Sequence, residues 1–213
     1  FGRTGWLLLA VVLAGVLAAS LGQWLAAVLI TALGALLVYG AAKVWGAGNG
    51  LWRAAGALYV GIPSTALLWL RGDSGAYAVL WLFLVVWATD IGAYACGRLI
   101  GGPRLAPRLS PNKTWAGLVG GLLAASAVGA LLAPALGVPA RGLLVGLSAI
   151  LSLVSQAGDL LESALKRHFG VKDTSALIPG HGGLFDRVDG VLAAAPAAAV
   201  LQLLSGGSLL AWR

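Results

Sequence analysis

Long apolar segments are the feature that most constrains the fold of this chain. A helix that crosses the hydrocarbon core of a bilayer, about 30 Å thick, needs about 20 predominantly apolar residues, because its backbone polar groups must be paired internally. The segments predict an all-α, polytopic integral membrane protein with about seven transmembrane helices. We place them at Gly5–Ala19, Trp24–Tyr39, Leu51–Leu70, Ala76–Cys96, Trp115–Leu136, Leu143–Leu161 and Val188–Leu210.

The balance of apolar and charged residues supports the same class of protein. The 213 residues are 60% hydrophobic and 10% charged, a balance that water-soluble globular domains do not normally have. Lys and Arg number 14 against 7 acidic residues, which gives a formal net charge of +7. Because the basic residues lie in short loops between apolar segments, we expect them to face anionic headgroups and phosphate-bearing substrates, and we expect no nucleic-acid partner.

The distribution of positive charge predicts the orientation of the segments, since cytoplasmic loops carry an excess of Lys and Arg. If the three most basic loops face the cytoplasm, the segments alternate across the membrane without conflict and the chemistry faces the cytoplasm. Those loops contain Lys43 and Arg53; Arg98, Arg104, Arg108 and Lys113; and Lys166, Arg167, Lys172 and Arg187. The turns on the opposite side hold Arg71, Asp73 and Arg141.

A polar stripe runs along the end of the sixth segment. On a helix that turns by 100° per residue, its side chains fall within an arc of about 140°. A stripe of mixed charge in a membrane helix must face a protein interior or a watery cavity, which favours a functional site. The alternative is an interhelical ion-pair network, for example between Asp159 and Lys166. The stripe consists of Gln156, Asp159, Glu162, Ser163, Lys166 and Arg167.

A glycine-rich loop follows, with His181 before Gly182 and Gly183 and with Asp186 and Asp189 at the start of the next helix. Glycines let backbone N–H groups approach a phosphate closely, and carboxylates are the hard oxygen ligands that Mg²⁺ prefers. The alternative for the two aspartates is that they complement the helix dipole. His181 could bind a metal, act as an acid, or hydrogen-bond a phosphate.

A third element, Ser110-Pro111-Asn112-Lys113-Thr114, opens the fifth segment. If Pro111 and Asn112 form a turn, Ser110, Lys113 and Thr114 become donors at a helix N-terminus, which is a ready anion site. The alternative is a simple helix cap with a lysine that extends to the membrane surface.

Other residues have simpler interpretations. Gly117 and Gly121 lie on one helix face and predict close helix packing. Cys96, the only cysteine, is expected to be a small core residue. His168 is interpreted as an interface residue, and most of the nine Trp as anchors at the membrane interface.

Three parts of the C-terminal half together resemble the phosphatidate cytidylyltransferase family. The first two are Ser110-Pro-Asn-Lys113-Thr and Gln156-Ala-Gly-Asp159-Leu-Leu-Glu162-Ser163. The third begins Ser163-Ala-Leu-Lys166-Arg167, continues with Lys172-Asp173-Thr-Ser175, and ends Ile-Pro-Gly-His181-Gly-Gly-Leu-Phe-Asp186-Arg187-Val-Asp189. It resembles the complete signature of that family. The N-terminal half resembles the family only as generic membrane helices, so residues 1–100 are expected to be N-terminal membrane helices and residues 101–213 the catalytic region.

The resemblance implies an enzyme of a bacterial-type inner membrane that joins CTP to phosphatidic acid, giving CDP-diacylglycerol and pyrophosphate. It implies that Asp159 and Asp186 hold a centre containing Mg²⁺, with K⁺ as a possible second ion, and that Asp189, Glu162 and Asp90 support it. It also implies a homodimer. The residues that it assigns to phosphate binding are Lys113, Lys166, Arg167, Lys172 and Arg187, with Ser110, Asn112 and Ser163 as hydrogen-bond donors.

Two rival functions share parts of this pattern. An ion-coupled transporter would place its acidic residues near mid-membrane in broken helices, whereas here they gather near one end of the segments. A CTP-using lipid or polyprenol kinase would transfer the γ-phosphoryl group and release CDP instead of pyrophosphate.

Overall fold

The computed structural model describes residues 50–135, 138, 141–170 and 188–205 of the chain. Within these residues the fold consists of helices joined by short connections, with one two-stranded antiparallel hairpin. The elements in chain order are α1 (Gly50–Asp73), α2 (Ala76–Leu99), β1 (Arg104–Ala106), β2 (Ser110–Thr114), α3 (Trp115–Ala135), α4 (Arg141–His168) and α5 (Asp189–Leu204).

The helices confirm that this is a membrane protein. Three of the described helices, α2, α3 and α4, are long and apolar enough to cross a bilayer, and α5 is a shorter apolar helix. Large apolar side chains such as Leu123 and Leu131 on α3 and Ile150 on α4 are exposed on the outside, as lipid-facing residues are. The predicted segments Gly5–Ala19 and Trp24–Tyr39 lie outside the described residues, so the count of seven stays a prediction.

Helix α4 extends beyond the predicted segment Leu143–Leu161 and ends at His168. Its 28 residues span about 42 Å at 1.5 Å per residue, which exceeds the hydrocarbon core of about 30 Å. The helix therefore has room to carry its polar last turns, which include Glu162 and Lys166, beyond the apolar region.

Between α2 and α3, where a loop was predicted, the chain forms a β-hairpin. The turn lies at residues 107–109 and not at Pro111 and Asn112, which are part of β2. Pro111 has no N–H to donate, and only one strand pairs with β2 in the described structure, so the proline is tolerated at this edge. Its carbonyl accepts a hydrogen bond of 2.6 Å from Arg104 Nη1. The hairpin therefore delivers Lys113 immediately before α3 begins.

Glycines allow α2 and α3 to form the most extensive helix contact among the described elements. A Cβ atom at Gly92 would lie 2.6 Å from Ala124 Cβ and 2.7 Å from the carbonyl oxygen of Gly120. A Cβ atom at Gly117 would lie 2.8 Å from the carbonyl oxygen of Ala93. The predicted packing face of α3 is thus confirmed, because no larger residue fits at this separation.

Small residues also bring α5 against α4. A side chain at Gly158 would collide with Ala193, and one at Gly190 would collide with Ser155. Because Gly190 follows Asp189 directly, this contact holds the first residue of α5 beside the second half of α4.

Polar side chains form hydrogen bonds at the end of the bundle where α1 ends and α4 begins. Asp73, the last residue of α1, accepts hydrogen bonds from Gln202 Nε2 of α5 (2.9 Å) and from Ser74 Oγ (3.1 Å). Arg141 Nε, at the start of α4, donates to the carbonyl oxygen of Ala130 in α3 at 3.2 Å. Asp73 and Arg141 thus lie away from the acidic stripe, as the alternation of segments requires.

Candidate active site

A cavity of about 720 Å³ lies at one end of the helix bundle. Its walls come from the C-terminal part of α2, the hairpin, the start of α3, the second half of α4 and the first residue of α5. The described residues that line it are Asp90, Ala93, Tyr94, Gly97, Arg98, Leu105, Asn112, Lys113, Thr114, Gly117, Leu118, Gln156, Asp159, Lys166 and Asp189.

Three carboxyl groups converge beside this cavity: Asp159 and Asp189 line it, and Glu162 is buried behind them. One carboxylate oxygen from each of Asp159, Glu162 and Asp189 lies within 4.8 Å of the others. Asp159 and Glu162 share a face of α4 because residues three apart on a helix are neighbours. Glu162 is only 1% exposed, and its carboxyl group interacts with that of Asp189. Carboxylates this close repel one another unless a proton or a cation lies among them.

Two lysines face these acids from different elements. Lys113 Nζ, at the end of the hairpin, contacts Asp159 Oδ2. Lys166 Nζ, one turn further along α4, lies 3.4 Å from Glu162 Oε1. The ion pair suggested by the sequence, Asp159 with Lys166, is replaced by these two pairs. The cavity therefore holds alternating positive and negative groups, which suits a phosphate ligand together with its cation.

Thr114 fixes the backbone next to Lys113 by capping the N-terminus of α3. The backbone N–H of Gly117 donates to Thr114 Oγ1 at 3.0 Å, which is the hydrogen bond of a helix N-cap. Thr114 is buried, and its capping bond fixes the chain where the hairpin enters α3. Of the alternatives left open by the sequence, the cap is confirmed for Thr114, while Lys113 points into the cavity and not toward the membrane surface.

Gln156 connects two of the walls. Its Nε2 donates to the carbonyl oxygen of Leu118 in α3 at 3.3 Å and lies 3.4 Å from Ser152 Oγ on its own helix. This side chain ties α4 to α3 one turn before Asp159, so the position of the acidic cluster relative to Lys113 is fixed by direct contacts.

The part of the cavity wall on α2 includes two residues, Tyr94 and Arg98, that were not predicted from the sequence. Asp90, Tyr94 and Arg98 all line the cavity, and Arg98 Nη1 donates to the hydroxyl of Tyr94 at 2.7 Å. Only Asp90 was expected near the site. The signal was present, because three polar residues spaced by four lie on one helix face. Tyr59 of α1 was also missed, although its buried hydroxyl experiences the charges of the three clustered acids.

The remaining predicted site residues fall into two groups. Asn112 lines the cavity, whereas Ser110, Ser163 and Arg167 are absent from its described lining. Ser110 pairs with Ala106 at the start of β2. The other predicted residues lie outside the described part of the chain: Lys172, His181, Asp186 and Arg187.

The acidic cluster could hold a metal ion. Mg²⁺ takes hard oxygen ligands, usually one or two protein carboxylates together with water and phosphate oxygens. The three converging carboxylates supply that donor set beside a cavity large enough for a phosphorylated substrate.

Comparison with known proteins gives a consistent picture. A sequence model described as "Cytidylyltransferase family" matches residues 1–204. A protein named phosphatidate cytidylyltransferase from Brucella suis biovar 1 (strain 1330) is 53% identical over 153 residues, which are 71% of this chain and 56% of that relative. Proteins of the same name from Staphylococcus saprophyticus (45% identical over 146 residues, 68% of this chain) and Staphylococcus aureus strain COL (41% over 148 residues, 69% of this chain) are also similar. The chain spans about half the length of these relatives, since each match covers 56% of them.

Proposed function

Because the chain belongs to the cytidylyltransferase family, we propose that it transfers the cytidylyl group of CTP to phosphatidic acid, giving CDP-diacylglycerol and pyrophosphate. The observation that carries this proposal is the convergence of Asp159, Glu162 and Asp189 with Lys113 and Lys166 at one cavity. The name shared by the similar bacterial proteins supports the choice of phosphatidic acid as the acceptor.

The proposed reaction needs little acid–base chemistry. A phosphate oxygen of phosphatidic acid forms a bond to the α-phosphorus of CTP, and the bond from that phosphorus to the departing pyrophosphate breaks. The attacking oxygen is already anionic, so the site must mainly position two polyanions and reduce their repulsion. The mixed charges of the cavity are suited to that task.

Asp159, Glu162 and Asp189 would hold Mg²⁺, together with Asp186 as expected from the sequence, and K⁺ would be a second ion. When bound, the divalent cation supplies charge neutralisation to the phosphates. The protein's part is to keep the carboxylates converged, which it does through the shared face of α4 and the contact of α5 with Gly158.

Lys113 and Lys166 would bind phosphate oxygens while remaining close to the acids. An ammonium group that contacts one carboxylate oxygen has further N–H donors for a ligand. The other residues that we propose for substrate binding, from the family signature, are Ser110, Asn112, Ser163, Arg167, Lys172, His181 and Arg187.

We further propose that the cavity faces the cytoplasm of a bacterial inner membrane and that the protein forms a homodimer. CTP is water-soluble and the headgroup of phosphatidic acid stays at the membrane surface, so the reaction belongs at that surface. The basic residues around the cavity support this orientation.

Product analysis tests the proposed function. Purified protein given CTP labelled at the α-phosphate, phosphatidic acid and Mg²⁺ should form a labelled lipid, CDP-diacylglycerol, and unlabelled pyrophosphate. D159N should reduce this activity by at least about 100-fold, in the range seen when a preorganised electrostatic group is lost. D73N, which changes an acid at the other end of the bundle, should retain it. In a parallel assay with CTP labelled at the γ-phosphate, label that enters lipid from this position and not from the α-phosphate would show a kinase and refute the proposal.

A further inference from the structure

Arg98 differs from the other two cations in the described lining of the cavity. Lys113 and Lys166 each face a carboxylate. Within residues 50–135, 141–170 and 188–205, no acidic side chain forms an ion pair with Arg98. An arginine that lines a cavity and has no acidic partner among these residues can bind an anionic ligand there.

Tyr94 holds this guanidinium group in place. Arg98 Nη1 donates to the Tyr94 hydroxyl at 2.7 Å, and the guanidinium carbon lies 6.0 Å from the centre of the Tyr94 ring. Guanidinium has five N–H donors, and the described part of the chain uses one of them, in this bond. Their planar arrangement matches two oxygens of one phosphate, which a lysine cannot match in the same way.

The position of Arg98 on α2 indicates which phosphate it meets. At 100° per residue, the cavity-lining residues of α2 fall within an arc of about 140°. Gly97 lies toward the α3 side of this arc, where its Cβ would approach Gly117 Cα at 3.7 Å. Tyr94 and Arg98 occupy the opposite margin, and Ile91 lies about 20° beyond Arg98.

That margin borders an apolar surface. Ile91, the neighbour of Arg98 around the helix, is 70% exposed, and Leu99, which follows Arg98 at the end of α2, is 84% exposed. Exposed apolar side chains at the end of a membrane helix contact lipid. A phosphate attached to acyl chains can therefore reach Arg98 while its chains stay in the apolar region. A nucleotide has no acyl chains, so this apolar border offers it no added contact.

We propose that Arg98, positioned by Tyr94, binds the phosphomonoester of the lipid substrate at the membrane-facing edge of the cavity. This inference rests on the proposed function, which supplies a lipid phosphate as the acceptor. It divides the cavity into a lipid-phosphate side on α2 and a side formed by the hairpin and α4, which receives the nucleotide phosphates.

Steady-state kinetics in mixed micelles test this division. R98A should raise the KM for phosphatidic acid by about tenfold to 100-fold, as expected for loss of a charge-assisted contact, and should leave the KM for CTP within about twofold. R98K should restore part of the loss, because it keeps the charge but not the planar fork. Y94F, which keeps the ring and removes the hydroxyl, should raise the KM for phosphatidic acid by a smaller factor.

The matched control is R108A, which removes the same charge from the exposed hairpin turn and should leave both KM values unchanged. A direct measurement separates this inference from the proposed function: binding of short-chain phosphatidic acid to the purified protein without CTP, with phosphatidylcholine as the comparison lipid. R98A should lose most of this binding whether or not the wild-type protein proves to make CDP-diacylglycerol. Wild-type lipid binding in R98A, or a rise in the KM for CTP alone, would overturn the assignment of Arg98.

Discussion

Lys113 contacts the acidic cluster and lines the cavity that we propose for the substrate. Its ammonium nitrogen is buried and contacts Asp159, while 23% of the side chain as a whole is accessible. A positive charge beside a metal-binding carboxylate competes with the metal and also attracts phosphate. Loss of this charge should therefore weaken phosphate binding but ease metal binding, and the two effects can be measured separately.

We therefore expect K113A to lower kcat by at least about tenfold, because a phosphate contact that is stronger in the transition state is lost. The Mg²⁺ concentration for half-maximal activity should stay the same or fall, because the competing charge is gone. Titration of activity with Mg²⁺ measures both quantities, and K113R should recover part of the kcat. A higher Mg²⁺ requirement with unchanged kcat would instead mean that Lys113 assembles the acidic cluster.

For individual residues, the sequence predicted the helix face on which the charged side chains lie better than it predicted their ion-pair partners. The 3.6-residue period placed Asp159, Glu162 and Lys166 on one face of α4, and the structure confirms that face. The pairing of Asp159 with Lys113 depends on how α4 packs against the hairpin, which local periodicity does not contain. Arg98 was missed as a site residue because it was assigned only to a basic loop, whereas α2 continues through it to Leu99.

At the scale of elements, the separation of α2 and α3 sets the width of the cavity. Both helices contribute walls to it, and their glycines bring the two backbones together. Any residue larger than glycine at this contact must push the helices apart or strain their side chains.

We expect G92A to lower the free energy of unfolding by about 1–3 kcal/mol, the usual cost of overpacking, and to reduce activity because α2 carries Tyr94 and Arg98. Thermal unfolding in detergent, followed by Trp fluorescence, measures the first effect. The matched control is G146A on α4, where a Cβ atom would meet nothing within 4 Å. Equal thermal midpoints for G92A and G146A would show that the close approach at Gly92 does not matter.

The elements themselves were largely predictable, with one exception. Helices α2, α3 and α4 follow from their apolar length, and their starts were predicted to within two residues. The hairpin was not predicted for two reasons. Pro111 is typical of a turn rather than of a strand, and the five residues of β2 are too few to show a clear alternation of polar and apolar side chains. Its formation depends on pairing with β1 and on the bond from Arg104 to the Pro111 carbonyl.

For the whole molecule, the acidic cluster depends on helices that are distant in sequence. Asp159 and Glu162 come from α4, Asp189 begins α5, and the predicted N-terminal part, residues 1–100, supplies Asp90, Tyr94 and Arg98 from α2. Composition predicted a membrane protein, and the family resemblance predicted a shared centre that includes Asp159, Glu162 and Asp189, which lie close together in the structure. Only the packing of the bundle brings the α2 wall, the hairpin lysine and the acids around one cavity.

We propose that the carboxylates of Asp159, Glu162 and Asp189 bind a divalent cation. Mn²⁺ binding, measured by electron paramagnetic resonance, tests this proposal most directly. The purified wild-type protein should bind Mn²⁺ saturably, and Mg²⁺ should compete for the site. D159N should weaken this binding by at least about tenfold, because it removes a charged oxygen ligand, while D73N at the other end of the bundle should bind as the wild type does. Unchanged Mn²⁺ binding in D159N would contradict the account.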